Sequence, residues 1–339
     1  MKDDLVKWYL NLDGYSKEEF AKINTLREDP GVENEEKFLE LSQQFIDRMP
    51  FSNLNVNDVY IRFGESASYL IREIFKKEVD DDTLVITTTY EHTTVRECLT
   101  HCKNTYEFEK EKIMNYSFDD VIMLSKKYEK VFVYMIGTNL STGEITPQLF
   151  FEQLKQELTR HNIKHKILID DVHGMFITPR DYRIFDYVIY TAHALVPMYD
   201  MGLVISKTDD IGFKCYNWGV NYLERMDIVL KRKAKLMMFR NIMFQLLNKL
   251  FSNKKYFRYF NYTTNHIFAV ETTGIYYTPE EYDILHDYKI RVAKDPVYVS
   301  WIRIRYQEFV KHDEKTALEA LHYLENLIKR KIMIMEMKE

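Results

Sequence analysis

The 339 residues suffice for one large or two ordinary domains, and the 46% of apolar and aromatic residues can build a substantial core. Only ten glycines occur, well under the usual share of about 7%, which excludes collagen-like and Gly-rich low-complexity chains. It also leaves no G-x-G-x-x-G and no Gly-rich phosphate loop ending in Gly-Lys-Ser/Thr. With 47 basic against 52 acidic residues the net charge is −5, and no basic stripe interleaved with aromatics marks a nucleic-acid binder. No apolar run approaches the ~18 residues that span a bilayer, and Met1-Lys2-Asp3-Asp4 does not read as a secretory signal. Cys98, Cys102 and Cys215 form an odd, sparse set, expected to be reduced thiols of a cytoplasmic protein. Cys98, His101 and Cys102 lie close together but lack a distant second ligand pair, so they read as helix positions rather than as a metal site.

Residues 1–50 are polar, broken by Asp29-Pro30-Gly31, with a helix expected over Asn34 to Arg48. From residue 59 short β-branched or aromatic runs alternate with amphipathic stretches. Val59 to Phe63 reads as a strand turned by Gly64, and Ala67, Leu70, Ile71, Ile74 and Phe75 follow at helical spacing. Further strands are expected at Leu84–Thr88, Tyr106–Phe108, Val131–Ile136, Ile167–Ile169, Phe185–Tyr190 and Leu203–Ser206, with a helix over Pro147–Arg160. The apolar continuity of Val131–Ile136 fits a strand covered on both faces. Strands separated by helical patterns imply βαβ units and a mainly parallel sheet, whose ligands gather at the carboxyl ends of the strands. Beyond residue 220 a long helical stretch, Arg225 to Phe251, leads to a smaller α+β segment with a strand at Trp301–Tyr306 and a helix at Lys315–Lys331. The domain reading is a helical segment 1–50, a large α/β domain 51–220, and a linking helix with a small α+β domain over 221–339.

Four strand ends carry polar groups. After the first come Ser66 and Ala67 at a helix start, where N–H groups and a hydroxyl can hold a phosphate, the plain alternative being a helix cap. The second is followed by Glu91-His92. The fifth ends in Asp170-Asp171-Val172-His173-Gly174, and a carboxylate leaving an apolar strand needs a partner: a protonated ring nitrogen, a metal ion or a backbone turn. The sixth ends in Thr191-Ala192-His193-Ala194.

In this order the residues resemble the fold type I pyridoxal 5'-phosphate (PLP) enzymes, nearest the class V aminotransferase and cysteine-desulfurase branch, over roughly residues 55 to 310. The carrying pieces are Glu91-His92, Ser141-Thr142-Gly143-Glu144-Ile145, Asp170-x-x-His173-Gly174 and Thr191 to Gly202. The resemblance implies a mainly parallel seven-stranded sheet with helices on both faces, a small C-terminal α+β domain and a homodimer. It implies that Ser66 and Ala67 bind the cofactor phosphate, that His92 stacks on the pyridine ring, and that Asp170 pairs with the ring nitrogen. His173 and Asn139 would lie near the phenolic oxygen, although Asn139 stands one residue further from Gly143 than the family pattern has it. Thr191 and His193 would sit by the phosphate. Arg303, or Arg305 if the register slips, would grip a substrate carboxylate.

One position departs from the pattern. The family's Schiff-base lysine follows the histidine of the sixth strand end, where this chain has Ala194, and a methyl group can neither bond the cofactor nor move a proton. Lys207, the next lysine, lies beyond the following strand and is not expected to reach. Three readings are open. The alanine is an engineered replacement made to trap an intermediate, which the retained Asp170 and His92 favour; or it is natural and His193 or His173 serves as base; or the chain is a catalytically silent relative. The functional expectation is a PLP-dependent enzyme acting on an amino acid or small amine, foremost an aminotransferase. A PLP-dependent decarboxylase or lyase is the alternative. From another class, the rivals are a metal-dependent hydrolase using Asp170, Asp171 and His173, with His193 as a further ligand, or a non-catalytic binding protein on the same scaffold.

Overall fold

The computed structural model describes residues 35–49, 52–89, 91–109, 117–139, 144–176, 178–191, 201–212, 219, 223–224, 251–252, 255, 257–260, 267–272, 275–288, 290–292, 300–305 and 314–337. Apart from Phe251, the helix expected over Arg225 to Phe251 lies outside them, as do Ser141 to Gly143. The chain divides into two compact units, one drawn from 28–139 and 145–228, the other chiefly from 229–339.

The larger unit runs α1 (Glu35–Asp47), β1 (Tyr60–Gly64), α2 (Ala67–Glu78), β2 (Thr83–Thr88), α3 (Thr93–Leu99), β3 (Thr105–Phe108), α4 (Asp119–Ser125), β4 (Lys130–Ile136), α5 (Gln148–Arg160), β5 (His165–Asp170), β6 (Tyr187–Thr191) and β7 (Gly202–Ser206). The seven strands form one sheet in the order β1-β7-β6-β5-β4-β2-β3. All neighbours are parallel except at β7, which is antiparallel to both β1 and β6. Every residue of β2, β6 and β7 is buried, which is why these strands read as continuous apolar runs rather than alternating ones. The mainly parallel seven-stranded α/β sheet expected from the sequence is the one found.

Both faces are covered, and the pleat decides which side chain goes where. On one face Leu70, Ile74 and Phe75 of α2 pack with Phe132, Leu168 and Ile189. The Phe75 and Phe132 rings meet edge to face at 5.2 Å. On the other, Phe45 of α1 lies 6.3 Å from Tyr190 and Phe150 of α5 lies 5.3 Å from Phe108. Each large apolar side chain so buried stabilises the sheet by about 1.5–3 kcal/mol.

The smaller unit contains β8 (Phe257–Phe260), β9 (Ile267–Thr272), α6 (Pro279–Asp287), β10 (Ile290–Val292), β11 (Ser300–Arg305) and α7 (Glu314–Glu336). Its strands form an antiparallel sheet in the order β10-β11-β9-β8. A capping box starts α6, with Thr278 and Glu281 satisfying each other's backbone N–H groups and Pro279 in the first turn. The Glu281 carboxylate also receives Arg330 and Lys331 from α7, tying the two helices together. Ile302, Leu324 and Ile328 belong to its core. Strand β11 and helix α7 match the sequence expectation. Strands β8, β9 and β10 are additions to the sequence reading, although β9 carries the apolar run Ile267 to Val270.

Candidate active site

Because β7 is antiparallel to both β1 and β6, strand β1 runs in the same direction as β2, β4, β5 and β6. Their carboxyl ends, Gly64, Thr88, Ile136, Asp170 and Thr191, therefore lie along one edge of the sheet, and Gly202, the first residue of β7, joins them. The register fixes the neighbours: Gly64 faces Gly202, Gly202 faces Thr191, and Ile136 faces Asp170. The sequence motifs at four strand ends are thus brought to one edge by topology.

Helix α2 begins at this edge. Ser66 is its N-cap, its hydroxyl oxygen accepting from the Tyr69 N–H at 3.0 Å. The cap consumes an oxygen lone pair and leaves the hydroxyl proton available as a donor. A side chain at Gly202 would come within 2.6 Å of the Ala67 nitrogen and 2.5 Å of the Ser66 carbonyl, so only glycine lets β7 touch the helix start. Thr191, at the end of β6, is buried in the same row.

Glu91 and His92 follow β2. His92 caps α3, its Nδ1 accepting from the Thr94 N–H at 3.3 Å, and the ring is half-buried. The Glu91 carboxyl folds back on the strand end, where Oε1 accepts from both the N–H and the hydroxyl of Thr88. Burial, and the Asp170 carboxylate nearby, push its pKa up to about 8, against the pull of the Thr88 donors.

At the end of β5 two aspartates stand in sequence and point to opposite sides. Asp170 Oδ2 accepts from the Tyr134 hydroxyl at 2.8 Å and Oδ1 from the Val172 N–H at 3.2 Å. Its pKa is raised by burial; the Tyr134 and Val172 donors and the His92 ring pull the other way, and Asp171 adds to the rise. Asp171 is completely buried and faces the Arg180 guanidinium, with Nε at 3.3 Å, and the Tyr182 hydroxyl. Arg180 in turn donates to the carbonyls of Gly137 at 2.7 Å and Thr146 at 2.9 Å. It thereby clamps the two sides of the loop after β4, whose bases also meet through the Thr146 N–H and the Gly137 carbonyl. Asn139 emerges from the clamped base and is buried. His173 lies in the turn after β5 and is half-buried.

The structure thus gathers Ser66, Ala67, His92, Asn139, Asp170, His173 and Thr191 on one sheet edge. His193 and Ala194 lie outside the described residues. Arg303 is in β11 of the smaller unit, paired with Ala269 and Arg291. Lys207 follows Ser206, which pairs with Tyr60 and Tyr187 at the opposite edge of the sheet. Four strand steps, roughly 13 Å at the usual rise, separate Ser206 from Gly202, which removes Lys207 from the edge that carries Asp170. Among the described residues no three His, Cys, Asp or Glu side chains converge to hold a metal ion. Sequence reasoning missed Tyr134, Arg180 and Tyr182. The only signals were a hydroxyl inside an apolar strand and a lone arginine in Thr178-Pro179-Arg180, neither of which names its partner.

The sequence matches no protein-family model and no curated protein. Solved structures do match. A NifS-like protein from Rickettsia africae ESF-5 is 12% identical over 93% of this chain and 96% of its own, with a TM-score of 0.71. A PLP-dependent aminotransferase from Streptococcus suis 89-1591 is 11% identical over 96% of this chain and 90% of its own, with a TM-score of 0.65. A serine palmitoyltransferase from Sphingomonas wittichii is 11% identical over 94% of this chain and 85% of its own, also at 0.65. The chain has the fold of these proteins, the fold type I architecture.

Proposed function

We propose that this chain binds PLP at the strand-end cluster and is an aminotransferase-like enzyme acting on an amino acid or small amine, in a form whose lysine position holds Ala194. The observation that carries this reading is Asp170: a buried carboxylate whose hydrogen bonds come from two neutral donors, Tyr134 and Val172. Such a group favours a protonated ring nitrogen, and its depth in the sheet repels water from that contact. When bound, PLP supplies an electron sink for a carbanion at the substrate's α-carbon.

The residues divide the remaining work. Asp170 holds a proton at the ring nitrogen. The Ser66 hydroxyl and the first-turn N–H groups of α2 bind the phosphate, with the helix dipole favouring negative charge there. Ala67 contributes a small side chain that leaves those N–H groups open, and Thr191 and His193 complete the phosphate end. His92 stacks on one ring face, while His173 and Asn139 approach the phenolic oxygen. Arg303 takes the substrate's carboxylate. Position 194 without an amine has neither a covalent tether nor a proton carrier, so His173 or His193 is the group left to move a proton in this form. On this reading the protein works as a cytoplasmic homodimer. The metal-hydrolase reading has less support, since Asp171 is already committed to Arg180 and Tyr182.

Titration of the purified chain with PLP, followed by absorbance and fluorescence, tests the proposal. Saturable binding that is lost on reduction of phosphate contacts in Ser66→Ala is expected, and Ala194→Lys should give a yellow protein with amine-dependent spectral changes. A chain that binds no PLP, with or without the lysine, overturns it.

A further inference from the structure

Asn139 and His173, the two residues assigned to one atom of the ligand, sit on different loops, which follow β4 and β5. In the first loop the Gly137 N–H donates to the Asp170 carbonyl at 2.8 Å. The Gly137 carbonyl accepts from the Thr146 N–H at 2.9 Å and from Arg180 Nη2 at 2.7 Å. Thr138 and Ile145 then form an isolated antiparallel bridge. In the second loop the Asp171 carbonyl accepts from the N–H groups of Gly174 and Met175, and the Gly174 carbonyl from the Thr178 N–H, so the chain turns tightly through His173. The two loops meet at the Asp171 side chain. A side-chain carbon at Gly137 would lie 2.3 Å from Asp171 Oδ1; one at Gly174 would lie 2.1 Å from the same oxygen and 2.8 Å from the Thr138 hydroxyl oxygen. Glycine at both positions is what lets two backbones close on one carboxylate.

Oδ1 completes no hydrogen bond, so packing between the glycines holds it, while Oδ2 faces Arg180 Nε and the Tyr182 hydroxyl. The fully buried Arg180 side chain therefore grips the first loop through the Gly137 and Thr146 carbonyls and the second through Asp171. Asn139 directly follows Thr138, and His173 directly precedes Gly174, the pair at which the loops touch. We propose that Arg180 is a positioning residue that sets Asn139 and His173 relative to each other as one unit. A planar guanidinium suits this task because it reaches two carbonyls and a carboxylate at once; an ammonium keeps the charge but lacks the fork. That Asn139 and His173 act together on a phenolic oxygen rests on the PLP reading; the coupling of the two loops does not.

The experiment follows the Asn139 side-chain amide and the His173 ring by NMR of the selectively labelled full chain without PLP, with the His92 ring, on another loop, as reference. Arg180→Lys should shift the Asn139 and His173 signals together and leave His92 in place. Residues coupled through a shared backbone shift respond to each other's substitutions. Gly137→Ala, in the first loop, should therefore shift His173, and Gly174→Ala, in the second, should shift Asn139. The proposal is overturned if each glycine substitution moves only its own loop, or if Arg180→Lys displaces His92 as much as the other two. Should Arg180→Lys fail to fold, the glycine substitutions decide the matter. Titration with PLP separates the two ideas: its absorbance, read against pH, should change profile in Arg180→Lys. Coupled NMR shifts in a chain that binds no PLP reject the cofactor and leave the loop coupling standing. PLP binding with uncoupled loops rejects the coupling alone.

Discussion

Asp170 and Asp171 are adjacent in sequence, leave the same strand and are both buried, yet the two sides of the sheet treat them differently. Asp171 meets a protein counter-charge, a buried guanidinium that also binds two backbone carbonyls, and a tyrosine hydroxyl, although its Oδ1 completes no hydrogen bond. Asp170 meets a tyrosine hydroxyl and one amide. A buried carboxylate costs several kcal/mol unless it is paired. On the Asp171 side the chain itself supplies the counter-charge, so the residue is architectural. On the Asp170 side the described residues supply two neutral donors and the nearby His92 ring but no guanidinium, and on the proposed reading a ligand's protonated nitrogen completes the set.

The largest effect should come from breaking the architectural side. Arg180→Met leaves Asp171 buried without its cation and frees the Gly137 and Thr146 carbonyls; a loss of about 3–5 kcal/mol in urea unfolding is expected. A loss under about 1 kcal/mol would mean that Asp171 is no more dependent on its partner than Asp170 is.

The next effect concerns pH on the Asp170 side. Glu91 has a folded pKa near 8, raised from about 4.5. The stability linked to its protonated form is therefore fully present below about pH 4.5 and lost as pH rises through about 8. Between pH 5.5 and 8.5 the wild-type chain without PLP should lose more stability than Glu91→Gln by at least about 1.4 kcal/mol, the value of one pKa unit. Equal pH slopes in the two proteins would show that the pocket holds no such proton.

The smallest stability change is expected from Asp170→Asn. Removing a charge that burial already penalises should alter unfolding by less than about 1 kcal/mol. PLP affinity should nevertheless fall tenfold or more, because an amide holds the ring nitrogen's proton poorly. A large stability loss with unchanged PLP affinity would reverse the roles assigned to the two aspartates.

Much of the larger unit was legible from local pattern. The buried strands announced themselves because both faces are covered, which turns alternation into continuous runs such as Val131 to Ile136. Helix α2 was visible from Leu70, Ile71, Ile74 and Phe75 at helical spacing. Less legible were α3 and α4, each seven residues long and too short to display a period. In the smaller unit β11 was read from the sequence, whereas β10, with only three residues, was too short to show a pattern. Within the site, Ser66, His92 and Asp170 could be picked out because each stands just after a recognisable strand. Arg180 could not, because its partners Gly137, Thr146 and Asp171 are distant in sequence and its position has no periodic context.

By itself, then, the sequence determined the alternation of strands and helices, the polar residues at the strand ends and the glycine among them at position 202. Those follow from burial and backbone sterics acting over a few residues. Only the tertiary structure decided that β7 runs backwards, which puts Gly202 against the start of α2 and sends Lys207 to the far edge. Only the tertiary structure, too, distinguished Asp170 from Asp171. A carboxylate's role depends on the charges and donors that other segments bring to it, and no local pattern encodes that.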